Sequence, residues 1–140
     1  MRILIAEDDV ASGLLLRKLL EPYGICYVAS NGKEAVETYR LAHQKDDPFA
    51  LVCLDVMMPE MDGVAALRAI RNDEEDQRLP PSRCAKIVMA TAMRDRDTVT
   101  RAYRELCDGY LVKPIERDKL LALLTELNLL PLSECQLASR

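Results

Sequence analysis

Short apolar runs alternate with amphipathic stretches along the whole chain. The runs at 3–6, 25–29, 50–54, 86–90 and 109–112 are only four or five residues long and are dominated by Ile, Leu, Val, Ala and Cys. Runs of that length and character read as strands covered on both faces, as in a parallel sheet. Helical patterning fills the intervals, over 10–22, 32–44, 63–71, 95–106 and 116–127. Leu14, Leu15 and Leu19 recur at helical spacing in the first stretch, and Ala35, Val36, Tyr39 and Ala42 share one face of the second. Tyr23-Gly24 closes the first helix, Ser30-Asn31-Gly32 and Asp62 cap the next two, and Asp46-Asp47-Pro48 breaks the chain before the third strand. Residues 72–83, polar and acidic with Pro80-Pro81, read as an exposed loop. Its Asp73-Glu74-Glu75-Asp76 run is expected to be solvated or to meet a partner, at the sheet edge away from any site. Five βα units predict a doubly wound α/β fold with a five-stranded parallel sheet and helices on both faces.

That topology gives the polar residues at the strand ends a meaning. Open α/β folds place their ligands beyond the carboxyl ends of the strands. Glu7-Asp8 follows the first predicted strand, Asp55 the third, Thr91 the fourth and Lys113 the fifth. Each has a plainer reading: an acid after a strand often caps the next helix, as Asp9 could, a threonine there is often a turn residue, and a lone lysine is often solvated. Four such coincidences at one edge favour a site. Carboxylates about 4 Å apart repel by roughly 4 kcal/mol at a typical effective dielectric, so the cluster must hold a proton or a cation. Oxygen-only ligands suit Mg²⁺, which commonly bridges carboxylates and phosphate oxygens. A hydroxyl and an ammonium beside it suit a phosphoryl group, and a carboxylate can accept one as an acyl phosphate. The residues by themselves point to a Mg²⁺-dependent aspartyl-phosphate site.

Composition narrows the class without changing this picture. The 140 residues suffice for one domain with a core, and 49% apolar against 30% charged residues is ordinary for a globular protein. The net charge of −4 is spread along the chain, so no clustered basic patch marks a nucleic-acid surface. No apolar stretch is long enough to span a membrane and no basic-then-apolar leader is present, so a cytoplasmic protein is expected. The five cysteines (Cys26, Cys53, Cys84, Cys107, Cys135) show no Cys-x-x-Cys spacing and are expected to be reduced and inert. His43, the only histidine, is expected at the surface or at its boundary.

Four blocks together are specific: Ile-Leu-Ile-Ala-Glu-Asp-Asp (3–9), Leu-Asp-Val-Met-Met-Pro-Glu-Met-Asp-Gly (54–63), Ile-Val-Met-Ala-Thr-Ala (87–92) and Gly-Tyr-Leu-Val-Lys-Pro (109–114). With Asn31-Gly32-Lys33-Glu34-Ala35, they make the chain resemble the receiver domain of two-component response regulators over about residues 2–127. The resemblance implies a flavodoxin-like sheet of order 2-1-3-4-5, a receiver domain over 1–127 and a short tail over 128–140. It implies that Asp55 takes a phosphoryl group from a phosphohistidine on a sensor histidine kinase or phosphotransfer protein. Glu7, Asp8, Asp55 and the Met57 backbone carbonyl would hold Mg²⁺, while Thr91 and Lys113 would meet phosphoryl oxygens. Thr91 and Tyr110 would form the switch, and the Lys113–Pro114 peptide would be cis. Output would be a changed binding surface for a downstream protein, formed by the 95–106 helix, the fifth strand and the last helix.

Met57 and Met93 lack the polar groups that could position a water on an acyl phosphate, so a slowly lost phosphoryl group is expected. The native chain could be a stand-alone receiver or one excised from a longer protein. A hydrolase acting on external phosphoesters is the reading from another class. It typically needs a second aspartate two residues past the nucleophile, where this chain has Met57. The chain is therefore expected to be a phosphoacceptor rather than an enzyme with an external substrate. Alternating charges on the 95–106 helix leave monomer and weak phosphorylation-linked homodimer both open.

Overall fold

The computed structural model describes residues 1–92 and 106–130. Strands β1 (Arg2–Ala6), β2 (Ile25–Ala29), β3 (Leu51–Asp55), β4 (Lys86–Thr91) and β5 (Gly109–Val112) form one sheet in the order β2-β1-β3-β4-β5. All four strand pairs are parallel. Helices α1 (Val10–Leu20), α2 (Gly32–Gln44), α3 (Gly63–Asp76) and α4 (Arg117–Glu126) cover it. The helix predicted over 95–106 falls almost wholly outside the described residues.

Successive strand residues point to opposite faces, and the core divides accordingly. Leu4, Ala6, Val52, Leu54, Ile87 and Met89 pack with Tyr39 of α2 and Leu67 and Ile70 of α3. The alternate set, Ile3, Ile5, Leu51, Cys53 and Val88, packs with Leu16 and Leu20 of α1 and Leu120, Leu121 and Leu124 of α4. β3, central in the sheet, is buried at every position, which is why its sequence reads as an unbroken apolar run up to Asp55. Leu130 also joins the core, so packing continues three residues past the expected domain boundary.

The helix starts follow the predicted caps. Asp9, Asn31 and Asp62 accept hydrogen bonds from the backbone N–H of Ser12 (3.2 Å), Glu34 (2.8 Å) and Ala65 (2.8 Å). The four described cysteines are free, with Cys26 and Cys53 buried. His43 is a boundary residue, its ring 4.5 Å from that of Tyr39.

One expectation fails. Helix α3 does not stop at Arg71 but runs to Asp76, and the acidic run inside it is only partly solvated: Glu75 and Asp76 are exposed, whereas Glu74 is buried. Ile70 and Glu74 are one helical turn apart, so Glu74 falls on the buried face and is 4% exposed. Its carboxylate accepts from Tyr39 Oη (3.0 Å), the Ala85 backbone N–H (2.8 Å) and Arg71 (2.6 Å). Asp73 takes two bonds from Arg40 of α2, at 2.6 and 3.2 Å. The cluster does lie by the start of β4, at the edge opposite Thr91 and Asp55, as the topology predicted.

Candidate functional site

The parallel register sets the site. Ala6 lies opposite Leu54, so the residues that follow, Glu7 and Asp55, leave the sheet side by side. Asp55 pairs with Ala90 and Thr91 with Val112, which puts Thr91 and Lys113 at the same edge. The Lys113 backbone N–H donates to the Thr91 carbonyl at 2.8 Å, extending the β4–β5 pairing past the strand end. Glu7, Asp8 and Asp55 each bring a carboxylate oxygen to within 4.8 Å of the others. Glu7 and Asp55 are buried, whereas Asp8 is exposed.

Lys113 closes the cluster. Its Nζ donates to Glu7 Oε1 at 2.8 Å and lies 3.2 Å from Asp55 Oδ1. The opposing charge of Glu7 and Asp55 outweighs the desolvation of Lys113, so its ammonium is held above the ordinary lysine value. Thr91 is buried and donates from Oγ1 to the Ala92 carbonyl at 3.1 Å, beside the site. The Met57 N–H donates to Asp55 Oδ1 at 3.4 Å, while the residue as a whole is 67% exposed. Tyr110 is half-buried on β5 and packs against the α2–α3 side of the core. The Lys113–Pro114 peptide is cis, as the resemblance implied.

The donor set fits a hard divalent cation. Glu7 Oε2 is buried with no hydrogen-bond partner, and an oxygen-only cluster of three carboxylates is the ligand chemistry of Mg²⁺. Without a cation the cluster holds a proton. Burial, and then the hydrogen bond with Asp55, raise the Glu7 carboxyl from 4.5 to about 7, and Lys113 only partly opposes this. The sign follows: between pH 4.5 and about 7 the folded metal-free protein keeps a proton that the unfolded chain has lost. This group therefore destabilises the metal-free fold increasingly as pH rises through that window, and fully above it. A divalent ion must displace the same proton. Mn²⁺ affinity, followed by electron paramagnetic resonance, is expected to fall by up to about tenfold per pH unit below pH 7 and to flatten above it. A flat profile from pH 5.5 to 7 would contradict the assignment.

Two glycines bound the loop after Asp55. A Cβ on Gly63 would run into the Asp55 carbonyl oxygen, and one on Gly32 into the Met61 carbonyl oxygen. Both lie in the motif blocks, and Gly32 was read only as part of a helix cap; only the fold shows the close approach of each to a loop carbonyl. Arg71 was likewise missed. Its Nε and Nη1 donate to the Leu106 and Ala85 carbonyls (2.7 and 2.9 Å), and its guanidinium bridges Glu74 and Asp108 (2.6 and 2.7 Å).

The model of the response regulator receiver domain matches residues 3–125. The chain belongs to this family. As a receiver it is a phosphoacceptor module of two-component signalling. It is 34% identical over 122 residues to chemotaxis protein CheY of Bacillus subtilis (strain 168), covering 86% of this chain and 91% of that relative. It spans only 10%, 25% and 49% of three longer relatives. Among solved structures, the CheX–CheY–BeF3–Mg²⁺ complex from Borrelia burgdorferi aligns with a TM-score of 0.74 at 25% identity, over 91% of this receiver and 88% of that chain. The Saccharomyces cerevisiae complex of the histidine phosphotransfer protein Ypd1 with the receiver domain of Ssk1 gives 0.74 at 27% identity, over 90% and 87%. No helix among the receiver's described residues is long and apolar enough to cross a membrane.

Proposed function

We propose that this receiver accepts a phosphoryl group on Asp55 from a phosphohistidine, with Mg²⁺ held by Glu7, Asp8, Asp55 and the Met57 carbonyl. The observation that carries this reading is the pair of buried carboxylates, Glu7 and Asp55, closed by a half-buried Lys113 whose ammonium lies 3.2 Å from the acceptor carboxylate. Bound Mg²⁺ supplies positive charge to the phosphoryl oxygens and relieves the repulsion among the carboxylates. An Asp55 carboxylate oxygen forms the new O–P bond as the donor's N–P bond breaks. The imidazole, protonated on its other ring nitrogen, keeps that electron pair and leaves as the neutral ring. Lys113, now facing a phosphoryl oxygen, exchanges part of its pairing with Glu7 for the new anion. The Thr91 hydroxyl, bonded to the Ala92 carbonyl in this state, turns to donate to another phosphoryl oxygen.

These contacts exist only with the phosphoryl group present, so they shift the population toward the arrangement that provides them. Tyr110 on β5 is the readout side chain, and the changed surface includes β5 and α4. Kinase docking finds its support in apolar side chains exposed close to the acids along the sequence. Val10 and Leu14, one turn apart on α1, are 76% and 54% exposed. The partners are a sensor histidine kinase or phosphotransfer protein and a downstream protein, and the setting is the cytoplasm. The CheX–CheY and Ypd1–Ssk1 complexes support protein partners of this kind. Receiver activity is assigned to residues 1–127.

Met57 stands two residues past Asp55 and offers no polar group to position a water, as does Met93, which lies outside the described residues. Incubated with a phosphohistidine-bearing kinase, the chain is expected to gain radiolabelled phosphoryl in Mg²⁺ and none in EDTA. After the donor is removed, the label should persist for minutes or longer. Labelling that is indifferent to EDTA, or a lifetime of a few seconds, would contradict the assigned roles.

A further inference from the structure

We propose that Gly32, at the start of α2, is a positioning residue for the metal site: its N–H and its missing side chain hold the loop that carries the Met57 carbonyl. The inference rests on the phosphoacceptor reading above and assigns that site a support on another element. The first N–H groups of a helix have no partner within the helix. In α2 one of them, on Gly32, donates to the Met61 carbonyl at 2.9 Å. The helix start that aims this N–H is itself fixed. Asn31 accepts the Glu34 N–H at 2.8 Å, and Glu34 reaches back to accept the Ser30 N–H (3.1 Å) and hydroxyl (2.7 Å).

The loop is therefore pinned at three places. At its start, the Val56 N–H donates to the Ala90 carbonyl of β4 at 3.0 Å. At its end, the Gly63 N–H returns to the Val56 carbonyl at 3.0 Å. Between them the chain turns through Glu60 at φ 65°, with the Met61 N–H donating to the Pro59 carbonyl at 2.7 Å, and the bond from Gly32 fixes that turn against α2.

The residue type at position 32 follows from contact and not from backbone conformation. No glycine in the described residues lies in the left-handed region, so the backbone at Gly32 would accept alanine. The obstacle is that a Cβ there would strike the Met61 carbonyl oxygen and lie 3.0 Å from that of Asp62. Both acceptors are backbone, so relief requires the loop to move by roughly 1 Å, toward an ordinary C···O separation. Displacements of about that size can cost on the order of a hundredfold at a positioned site. Met57, four residues before the displaced carbonyl, would carry the effect to the metal and to Asp55, whose Oδ1 its N–H meets.

The test compares thermal unfolding of the full chain in EDTA and in Mg²⁺ with beryllium fluoride, for wild type, Gly32→Ala and Ala42→Gly. Ala42→Gly weakens the same helix without touching the loop. A bound ligand raises stability according to its affinity. Both variants should melt below wild type in EDTA. Only Gly32→Ala should lose most of the Mg²⁺–fluoride gain, with Mg²⁺ affinity at least about tenfold weaker. An undiminished gain in Gly32→Ala would overturn the inference while leaving the Asp55 reading intact. No gain in wild type would instead remove that reading, and the inference with it. Amide exchange in wild type needs no variant to fold. Because coupling between the metal and the loop is reciprocal, Mg²⁺ and beryllium fluoride should slow exchange of the Gly32 N–H more than that of Ala42. Equal slowing of the two would overturn the inference.

Discussion

Replacing Arg71 with alanine should cost about 3–5 kcal/mol of folding stability, measured by urea denaturation at pH 7. The guanidinium makes four hydrogen bonds, to the Leu106 and Ala85 carbonyls and to the Glu74 and Asp108 carboxylates. Asp108 in turn accepts the Ile87 N–H at 2.8 Å, so one side chain ties α3 to the starts of both β4 and β5. Removing it strands Glu74, 4% exposed, as a charge whose other partners are the Tyr39 hydroxyl and the Ala85 N–H. The penalty is chiefly that of an unpaired buried charge, which exceeds the value of the pair itself. Arg71→Lys should recover little, because a point ammonium cannot reach four acceptors in the fork geometry of guanidinium. Adding Glu74→Gln to Arg71→Ala should recover part of the loss by removing the stranded charge. A loss below about 1 kcal/mol for Arg71→Ala would show that the network is screened like a surface pair.

The network also shows where reading the sequence stops. The strand runs were legible because covering both faces of a parallel sheet demands unbroken apolar residues, and Leu51-Val-Cys-Leu-Asp55 satisfies that demand without reference to distant residues. The placement of the candidate site was legible for a related reason: in a doubly wound sheet the edge that receives each strand's next residue is fixed by topology, so Glu7, Asp8, Asp55, Thr91 and Lys113 could be put at one edge before any distance was known. Within Asp73-Glu74-Glu75-Asp76, Glu74 was misread because four acids in a row look solvated, as Glu75 and Asp76 indeed are. Helical spacing from Ile70 marked Glu74 as inward-facing, but what makes its burial tolerable comes from afar: Tyr39 lies 35 positions away, and Asp108, bridged by Arg71, another 37 from that arginine. Gly32 and Gly63 were visible as motif letters. Their physical role depends on which carbonyl the fold presses against them, and no local pattern encodes that.

The second large effect is the loss of the proposed acceptor, Asp55. Asp55→Asn should abolish phosphoryl uptake while retaining the fold. The amide keeps the volume and an oxygen able to accept the Met57 N–H, but it cannot act as the anionic nucleophile. It also removes the carboxylate that, after burial, does most to raise the Glu7 carboxyl, so Glu7 should ionise at lower pH in the variant. With the carboxylate repulsion between Glu7 and Asp55 relieved, the variant's stability should match or exceed that of the metal-free wild type near neutral pH, even though Lys113 loses one of its two anionic partners. Thr91 and Lys113 stand differently. Each would interact with the phosphoryl group after transfer, so Thr91→Ala and Lys113→Ala should still accept it and fail chiefly in transmitting the change to β5 and α4.

The central claim is that Asp55 is the phosphoacceptor of a Mg²⁺-dependent receiver, and intact-protein mass tests it most directly. Wild type and Asp55→Asn would be incubated with acetyl phosphate, each with Mg²⁺ and with EDTA. The expected result is a gain of a single phosphoryl group in wild type with Mg²⁺ only, and no gain in Asp55→Asn under either condition. An adduct that persists in Asp55→Asn, or that forms equally well in EDTA, would contradict the account.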